Sequence, residues 1–368
     1  MRVFYGVAIL AGTIVGAGLF SLPYITSVVG IYTILLYILA LGVVSLIIHL
    51  FLGYVSLKTP DFMRLPGFAK YHLGSGAQRV AYVSGVLGML GAVLAYIVLG
   101  GSFTYSLFAP YFGGSELLYV LLYFLLGAYF IFFGIRAISK VQLMGLIFFF
   151  VIIFAILLRG WGVLSLENIL YTEEGAFDIL LPYGPLLFAL WGGSLIPEIE
   201  EMLGEEKKKL PLVIVLGILV AVVISILFIF AIFSISGANT TQDALSGLRG
   251  SLGNGIISLV LLFGIVTTFT SFVAIGLTVK KIFWYDLKMN KHISWAVTCI
   301  VPFLLYLLGA RDFIVIIGTI GAVMIAIDAI LVSFMYEKIK SKKVRLITYP
   351  LIAIFVAGII YEIFYYIT

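Results

Sequence analysis

The sequence has few charged residues and a single cysteine. Charged side chains make up 11% of the 368 residues, whereas apolar side chains make up 63%. A soluble domain of this length needs far more charge on its surface, so the composition excludes a soluble protein and predicts a polytopic membrane protein. The one cysteine, Cys299, excludes an internal disulfide and lies in an apolar stretch, where we expect it to pack.

The sequence also lacks the motifs of enzymes and of nucleic-acid-binding proteins. Its three histidines, His49, His72 and His292, have no metal-ligand spacing, and no serine or cysteine lies in a nucleophile motif. The basic residues behind the net charge of +5 are spread over loops and form no basic helix face. We therefore expect no enzymatic activity, no organic cofactor, no nucleic-acid partner and no obligate protein partner.

Long apolar stretches dominate the chain. About 20 residues are needed to cross a bilayer, and the stretches of at least about that length predict eleven transmembrane spans. They lie at about 3–26, 31–56, 80–107, 117–134, 141–158, 181–203, 211–236, 252–279, 292–309, 313–336 and 345–366.

The basic residues predict the orientation of these spans. If the N-terminus is cytoplasmic, every Lys and Arg except Arg159, Arg249 and Arg311 falls in an inner segment. Basic residues of short loops stay on the cytoplasmic side, so we expect a multi-pass protein of the cell membrane with a cytoplasmic N-terminus and an extracellular C-terminus. The inner loop at 57–79 mixes basic and aromatic residues, which predicts a short amphipathic helix on the membrane surface.

Two spans are interrupted by glycines at matching places in the two halves of the chain. Residues 12–23 read GTIVGAGLFSLP, and residues 188–198 read FALWGGSLIPE. A spanning helix loses internal hydrogen bonds only where the freed backbone groups line a cavity or bind something. Such a pair of interrupted helices is the best pointer in a sequence to the binding site of a transporter.

The matching interruptions predict an internal repeat. Spans one to five, residues 3–158, correspond to spans six to ten, residues 181–336, within a single transmembrane domain of residues 1–368. An odd number of spans per unit inverts the second unit, and the span at 345–366 is additional. The substrate site is then expected at the bilayer midplane between the two units.

The two interrupted segments resemble the first and sixth helices of the amino acid/polyamine/organocation transporter superfamily, with the amino acid/auxin permease and aromatic amino acid permease branches nearest. The inner loop at 57–69 is similar to theirs as well. The resemblance implies an all-α LeuT fold of eleven transmembrane helices. In that fold five plus five helices form an inverted repeat, one helix is appended, and helices one and six are unwound.

The resemblance also implies a site for a zwitterionic amino acid. Backbone groups are expected to match its two charges: the amides of Gly16, Ala17 and Gly18 the carboxylate, and the carbonyls of Phe188, Ala189 and Trp191 the ammonium group. Tyr96 in the third span matches a family position near the substrate carboxylate. A lining of small and aromatic groups, including Phe269, suits an uncharged apolar substrate.

A cluster of hydroxyls in the eighth span predicts a cation site. The carbonyl of Thr267 and the hydroxyls of Thr270 and Ser271 share one helix face, and the carbonyls of Gly12 and Val15 would complete five oxygen ligands. From the residues alone, hydroxyls that bond back to their own helix or that join helices remain the alternative. Sodium-coupled members of the fold use this spacing, so the resemblance implies a sodium ion here.

Ionisable residues inside spans are costly and therefore functional candidates; they are His49, Glu198, Glu200, Glu201 and Asp328. Glu198 and Glu201 share a face below the second interruption, where they would form an inner gate or a proton relay. Asp328 would titrate or pair with His49. The fifth span, 141–158, has no ionisable side chain, which argues against the lysine-based proton mechanism of some members of the fold.

These patterns together predict a secondary active transporter that imports a neutral, apolar amino acid by alternating access with sodium. Two alternatives remain open. One is a proton-coupled symporter that uses Glu198 or Asp328. The other is a substrate-sensing receptor or a channel with the same fold.

Overall fold

The computed structural model describes residues 2–60, 63–134, 138–172 and 179–367, and within these ranges every regular element is a helix. The predicted all-α class is confirmed. In chain order the α-helices are α1 Arg2–Ile14, α2 Ala17–Val29, α3 Ile31–Leu57, α4 Leu65–Leu73, α5 Ser75–Phe112, α6 Glu116–Phe133, α7 Ile138–Gly160, α8 Leu166–Leu170, α9 Tyr183–Ala189, α10 Ile196–Leu203, α11 Leu210–Ser236, α12 Arg249–Leu252, α13 Asn254–Lys281, α14 Lys291–Leu307, α15 Phe313–Thr319, α16 Ala326–Lys340 and α17 Arg345–Ile367.

The helices follow the predicted spans closely. In the described part of the chain, seven helices are long and apolar enough to cross a membrane, or eight when the bent pair α1 and α2 counts as one span. Each of the eleven predicted spans overlaps a helix or a helix pair. Because two of these helices have short apolar segments, and α9 to α11 count together as a single candidate span over Tyr183–Asn239, the number eleven stays a prediction.

The first span is interrupted at Val15 and Gly16. The axes of α1 and α2 differ by 52°, and Gly16 takes an extended conformation with φ −116° and ψ −151°. Pro23 lies inside α2, where its missing amide hydrogen weakens the helix further. The predicted interruption is therefore confirmed, and α2 begins at Ala17 with amides that have no helical acceptor.

The second interruption separates α9 from α10. Leu190–Gly192 leave the helix, a 3₁₀ turn spans Gly193–Leu195, and Pro197 occupies the first turn of α10. Helix α1 packs against α10, and α2 packs against α9. The two interrupted spans thus run antiparallel beside each other, so their gaps meet in the interior of the protein.

A π-helical segment, Ile320–Ile325, joins α15 to α16 and packs against α9. A Cβ atom built on Gly321 would lie 1.8 Å from the Gly184 carbonyl oxygen, and one built on Gly184 would lie 2.3 Å from the Gly318 carbonyl oxygen. Side chains at these positions would separate the two segments. The glycines therefore allow α9 to approach the π-helical segment backbone to backbone.

Two helix ends are capped by basic side chains from distant spans. Lys280 on α13 donates from Nζ to the carbonyls of Ile131 and Phe132, both at 2.8 Å, at the end of α6. Arg2 donates from Nη1 to the carbonyl of Leu203, 3.0 Å away, at the end of α10. Carbonyls at the end of an α-helix lack α-helical donors, so the basic groups supply hydrogen bonds there, and Arg2 joins the start of α1 to the end of α10.

The outward faces of the spans are apolar. On α6, Leu122, Leu125 and Leu126 are each more than half exposed, which is unusual for a soluble monomer and suits contact with lipid. The predicted short helix of the 57–79 loop is α4, which buries Phe68 and Ala69 against the protein.

Candidate substrate site and cation site

The backbone of the first interruption has exchanged its helical hydrogen bonds for local ones. In a continuous helix the Gly16 amide would donate to the Gly12 carbonyl, but it donates to the Ile14 carbonyl at 2.8 Å. The Leu19 amide likewise donates to the Gly16 carbonyl at 3.2 Å and not to that of Val15. The carbonyls of Gly12 and Val15, both predicted sodium ligands, thus lose their helical donors.

Tyr96 on α5 connects this interruption to α13. Its hydroxyl is buried near the Ala17 backbone and the Ser271 side chain, and it would lie 3.1 Å from a Cβ atom built on Gly16. The structure therefore brings three predicted site residues, Ala17, Tyr96 and Ser271, to one point.

The second interruption is held by side chains of α3. The Gly192 amide donates to Nε2 of His49 at 3.0 Å, and the Leu190 carbonyl accepts from the hydroxyl of Ser45 at 2.9 Å. The amide of Leu195 donates to the Gly192 carbonyl at 3.2 Å, so the Trp191 carbonyl loses its regular helical donor. The Phe188 carbonyl accepts from the Trp191 amide at 3.3 Å.

The two interruptions touch at Gly18. A Cβ atom built on this residue would lie 2.6 Å from Cα and 2.8 Å from Cβ of Ala189. Only a glycine permits this approach of α2 to α9. The contact places the N-terminal turn of α2 directly beside the C-terminal turn of α9. The amide groups of the first carry a partial positive charge, and the carbonyl groups of the second carry a partial negative charge.

A cavity of about 230 Å³ opens beside this contact. Most predicted substrate and gate residues line it, namely Gly16, Ala17, Gly18, Tyr96, Phe188, Trp191, Glu198 and Asp328, whereas Ala189 does not. Its remaining wall is largely apolar and includes Met89 and Ala92 of α5, Ile275 of α13, and Met324. The predicted site residues are thus gathered around one chamber.

An aromatic cluster follows the first turn of α2. Phe20 packs edge-on against Phe103 and Phe228, with ring centroids 5.2 and 5.6 Å apart, and all three side chains are fully buried and lie outside the chamber lining. The chamber lining continues instead to Arg64 and Leu65 at the start of α4. The chamber therefore extends toward the side of the 57–79 loop, the predicted cytoplasmic side.

Arg64 forms ion pairs across this inner rim. Its Nε atom lies 2.7 Å from Glu198 and its Nη1 atom 2.8 Å from Glu201, both on α10. Glu200 on the same helix accepts from the Ser56 hydroxyl of α3. The predicted shared face of Glu198 and Glu201 is thus occupied by Arg64, a partner that the sequence analysis did not assign.

Asp328 lies on the chamber wall away from His49. Its carboxylate accepts from the hydroxyl of Ser84 on α5 at 2.6 Å. The expected alternative in which Asp328 pairs with His49 is wrong, because both ring nitrogens of His49 contact other groups, the Ser45 carbonyl and the Gly192 amide.

The hydroxyl cluster of α13 is only partly organised around the first interruption. The Thr270 hydroxyl donates to the Thr267 carbonyl at 3.0 Å, which is the back-bonding that the sequence left open. Ser271 contacts Tyr96. Gly12, Val15, Thr267, Thr270 and Ser271 all lie outside the chamber lining, so their role as sodium ligands stays a prediction.

Sequence reasoning missed Ser45, Ser84 and Arg64 as parts of the site. Each contacts a residue more than 130 positions away, and hydroxyls within spans most often bond to their own helix. His49 carried a signal, since a histidine inside an apolar span is rare, but nothing in the sequence named its partner.

Comparison with known proteins decides the family. The model of the tryptophan/tyrosine permease family matches residues 1–363. The chain belongs to this family. A relative of this permease, glutamine transporter 2 of Aliivibrio fischeri (strain ATCC 700601 / ES114), is 24% identical over 339 residues, which cover 88% of this chain and 86% of the relative.

Solved structures share the fold of this permease. MhsT in complex with L-phenylalanine superimposes with a TM-score of 0.70 at 12% identity, covering 97% of this chain and 98% of MhsT. Mhp1, a nucleobase-cation-symport-1 family transporter in a closed conformation with bromovinylhydantoin bound, gives a TM-score of 0.66 at 14% identity, covering 94% and 80%. The expected LeuT fold and superfamily are confirmed. The protein is a multi-pass membrane transporter and not an enzyme.

Proposed function

We propose that this permease imports a neutral, apolar amino acid by alternating access, driven by sodium. The observation that carries the proposal is the meeting of the two interruptions at one chamber, where the amides of α2 and the carbonyls after α9 lie side by side. The chamber extends from this meeting point to Arg64 and Leu65, toward the side of the 57–79 loop, as an inward-facing state of an alternating-access cycle would.

The backbone groups around the chamber suit both charges of an amino acid. The N-terminus of α2 carries a partial positive charge and amides that lack helical acceptors, which favours a carboxylate. The carbonyls of Phe188 and Trp191 supply partial negative charge for an ammonium group. Because these are fixed dipoles, the site binds a zwitterion without burying an ionised side chain.

The chamber wall supports an apolar substrate. Its lining near the interruptions includes Ala92, Ile275 and Met324, together with the ring of Trp191. A hydrophobic side chain gains free energy when it leaves water for such a surface. The family description names tryptophan and tyrosine, the solved MhsT structure holds L-phenylalanine, and the relative in Aliivibrio fischeri is named for glutamine.

The sodium part of the proposal rests on backbone oxygens. The carbonyls of Gly12 and Val15 have lost their helical donors, and Ser271 lies near Tyr96, beside the same interruption. Carbonyl and hydroxyl oxygens are the ligands that a small hard cation prefers. A sodium ion bound by these groups would join α1 to α13 and couple the first interruption to the second repeat.

Reconstitution of the purified protein in liposomes tests the proposal. We expect labelled L-tryptophan, L-tyrosine or L-phenylalanine to accumulate when sodium is outside, and accumulation to be abolished when choline replaces sodium. Counterflow, the exchange of labelled for unlabelled substrate, separates a carrier from a sensor or a channel. Absence of counterflow for all twenty amino acids would contradict the carrier.

A second candidate is coupling to protons through Asp328. Its carboxylate is buried on the chamber wall beside the Ser84 hydroxyl, whereas Glu198 is engaged by Arg64. Asp328 is therefore the better proton site of the two predicted carboxylates. Under this alternative, uptake continues in choline, follows an imposed pH gradient, and loses its gradient dependence in Asp328→Asn while counterflow persists.

A further inference from the structure

Helix α3 presents two polar side chains to the second interruption, Ser45 and His49, one helical turn apart. Both are buried, with 4% and 0% of their surfaces exposed, in a helix that is otherwise strongly apolar. Polar groups in such a place are costly unless they are hydrogen-bonded. Their bonds go to the backbone of Leu190 and Gly192.

The partners of His49 determine its protonation state. Its Nδ1 atom lies 2.7 Å from the Ser45 carbonyl, which can only accept, so Nδ1 carries a proton. Its Nε2 atom lies 3.0 Å from the Gly192 amide, which can only donate, so Nε2 carries none. The ring is therefore neutral, and the lone pair on Nε2 accepts the hydrogen of the Gly192 amide.

These two side chains replace the helical bonds that the interruption gives up. In a continuous helix the Gly192 amide would donate to the Phe188 carbonyl, but His49 accepts this hydrogen. The Leu190 carbonyl accepts from the Ser45 hydroxyl, 2.9 Å away. Two side chains on one face of α3 thus satisfy the unwound segment: Ser45 donates to the carbonyl of Leu190, and His49 accepts from the amide of Gly192.

The ring of His49 also positions Trp191. The two ring centroids lie 5.0 Å apart in an edge-on arrangement, and Trp191 lines the chamber. Without His49, the Gly192 amide would lack an acceptor in the unwound segment, and the segment would lose its fixed position beside α3. The carbonyls of Phe188 and Trp191 would then be held less well for a substrate.

We propose that Ser45 and His49 form a backbone clamp that holds the second interruption unwound, and that His49 is a positioning residue for the ammonium site of the substrate. The clamp itself stands on the described hydrogen bonds. Its effect on substrate binding rests on the proposed function. His49 acts here as a neutral acceptor and not as a proton carrier, since a proton on Nε2 would face the Gly192 N–H.

Hydrogen–deuterium exchange of the full-length protein in nanodiscs, without substrate, tests the clamp. We expect His49→Phe, which keeps a ring but removes the acceptor, to raise exchange in peptides covering 188–196 by about tenfold, as loss of a buried hydrogen bond implies. His49→Asn is too short to reach Gly192 and should behave like His49→Phe. His49→Gln retains an oxygen near the position of Nε2 and should restore part of the protection.

A serine pair supplies the matched control. Ser45→Ala removes the donor to Leu190 and should also raise exchange in 188–196. Ser225→Ala removes a buried serine that bonds only to its own helix, through the Ala221 carbonyl, and should leave that segment unchanged. Unchanged exchange in both His49→Phe and Ser45→Ala, with normal elution of each variant, would overturn the clamp.

Counterflow of L-tryptophan tests the positioning role separately. We expect His49→Phe to raise KM about tenfold with a smaller change in the maximal rate, and His49→Gln to recover most of the affinity. Raised exchange with an unchanged KM would overturn the positioning role and retain the clamp. If the unmodified protein shows no counterflow for any amino acid, the proposed function and the ammonium site fall together, and the exchange data still decide the clamp.

Discussion

Gly18 sets how closely the two interrupted spans approach each other. It lies in the first turn of α2, and its Cα hydrogen faces the backbone of Ala189. The contact joins the amide end of one half-helix to the carbonyl end of the other. No larger residue fits, because even a methyl group would overlap with main-chain atoms that cannot rotate away.

We expect Gly18→Ala to weaken substrate binding at least tenfold and Gly18→Val to abolish it. Forcing extra carbon into a packed contact typically costs about 1–3 kcal/mol, and here the strain separates the two groups of substrate ligands. Ligand-induced thermal shift of the purified variants measures the effect. Gly85→Ala is the control, because it also lines the chamber and its Cβ would meet only Met89, at 4.0 Å.

Substitution of Thr270 and Ser271 distinguishes a cation site from a purely packing role of their hydroxyls. We expect the double variant Thr270→Ala/Ser271→Ala to raise the sodium concentration needed for half-maximal uptake about tenfold. Each hydroxyl is expected to contribute to the free energy of sodium binding roughly as much as one hydrogen bond contributes to stability. Thr298→Ala, a buried threonine that bonds only to the Ser294 carbonyl of its own helix, should have no effect. An unaltered sodium response in the double variant would assign both hydroxyls to packing.

Individual residues were predictable from the sequence only where local chemistry defines their role. Glycines within an apolar span identified the interruptions at Gly16 and Gly192, because loss of helical bonding is a property of the local chain. His49 could not be assigned to Gly192, since that contact joins residues 143 positions apart. For the same reason the expectation that Asp328 pairs with His49 was wrong.

Helix α10 is held at the inner rim by charged side chains. Arg64, at the start of α4, contacts both Glu198 and Glu201, and all three side chains are partly exposed. Exposed pairs contribute little to stability. Their position across the mouth of the chamber instead makes them candidates for a latch on the inner opening.

We expect Arg64→Gln to favour the open inner mouth with little loss of thermal stability. The two pairs together contribute on the order of 1 kcal/mol, which is roughly a fivefold shift in the opening equilibrium. A cysteine introduced by Thr278→Cys, on the chamber wall, reports opening through its rate of thiol labelling. The native Cys299 is buried and gives little background.

Loss of an equivalent surface pair provides the comparison. Lys209→Gln breaks the exposed pair with Glu206, which does not border the chamber, and should leave labelling of Thr278→Cys unchanged. Equal labelling in the Arg64→Gln and Lys209→Gln proteins would show that Arg64 does not hold the mouth closed.

Apolar length predicted the helices well but not their internal irregularities. The spans at 31–56 and 80–107 became α3 and α5 with small shifts at their ends. The π-helical segment at Ile320–Ile325 was not foreseen, because its residues are as apolar as those of a regular helix. Its geometry follows from the contact of Gly321 with Gly184 on α9, a property of packing between spans.

The arrangement of basic residues makes the orientation of the whole molecule testable. We expect a reporter that is active only outside the cytoplasm, such as alkaline phosphatase, to be active when fused after residue 368. The same reporter fused after Lys340, before α17, should be inactive, because that end lies on the basic inner side. The reverse pattern would mean that the chamber extends toward the extracellular side and not toward the cytoplasm.

Arg2 couples the movements of the two inner half-helices, α1 and α10. Its guanidinium joins the first residue of α1 to the last carbonyl of α10, so an outward movement of either half-helix must carry the other with it or break this hydrogen bond. Under the proposed function, substrate release would then depend on a contact remote from the chamber. We expect removal of the Arg2 side chain to change the rate of substrate release and to leave the substrate selectivity unchanged.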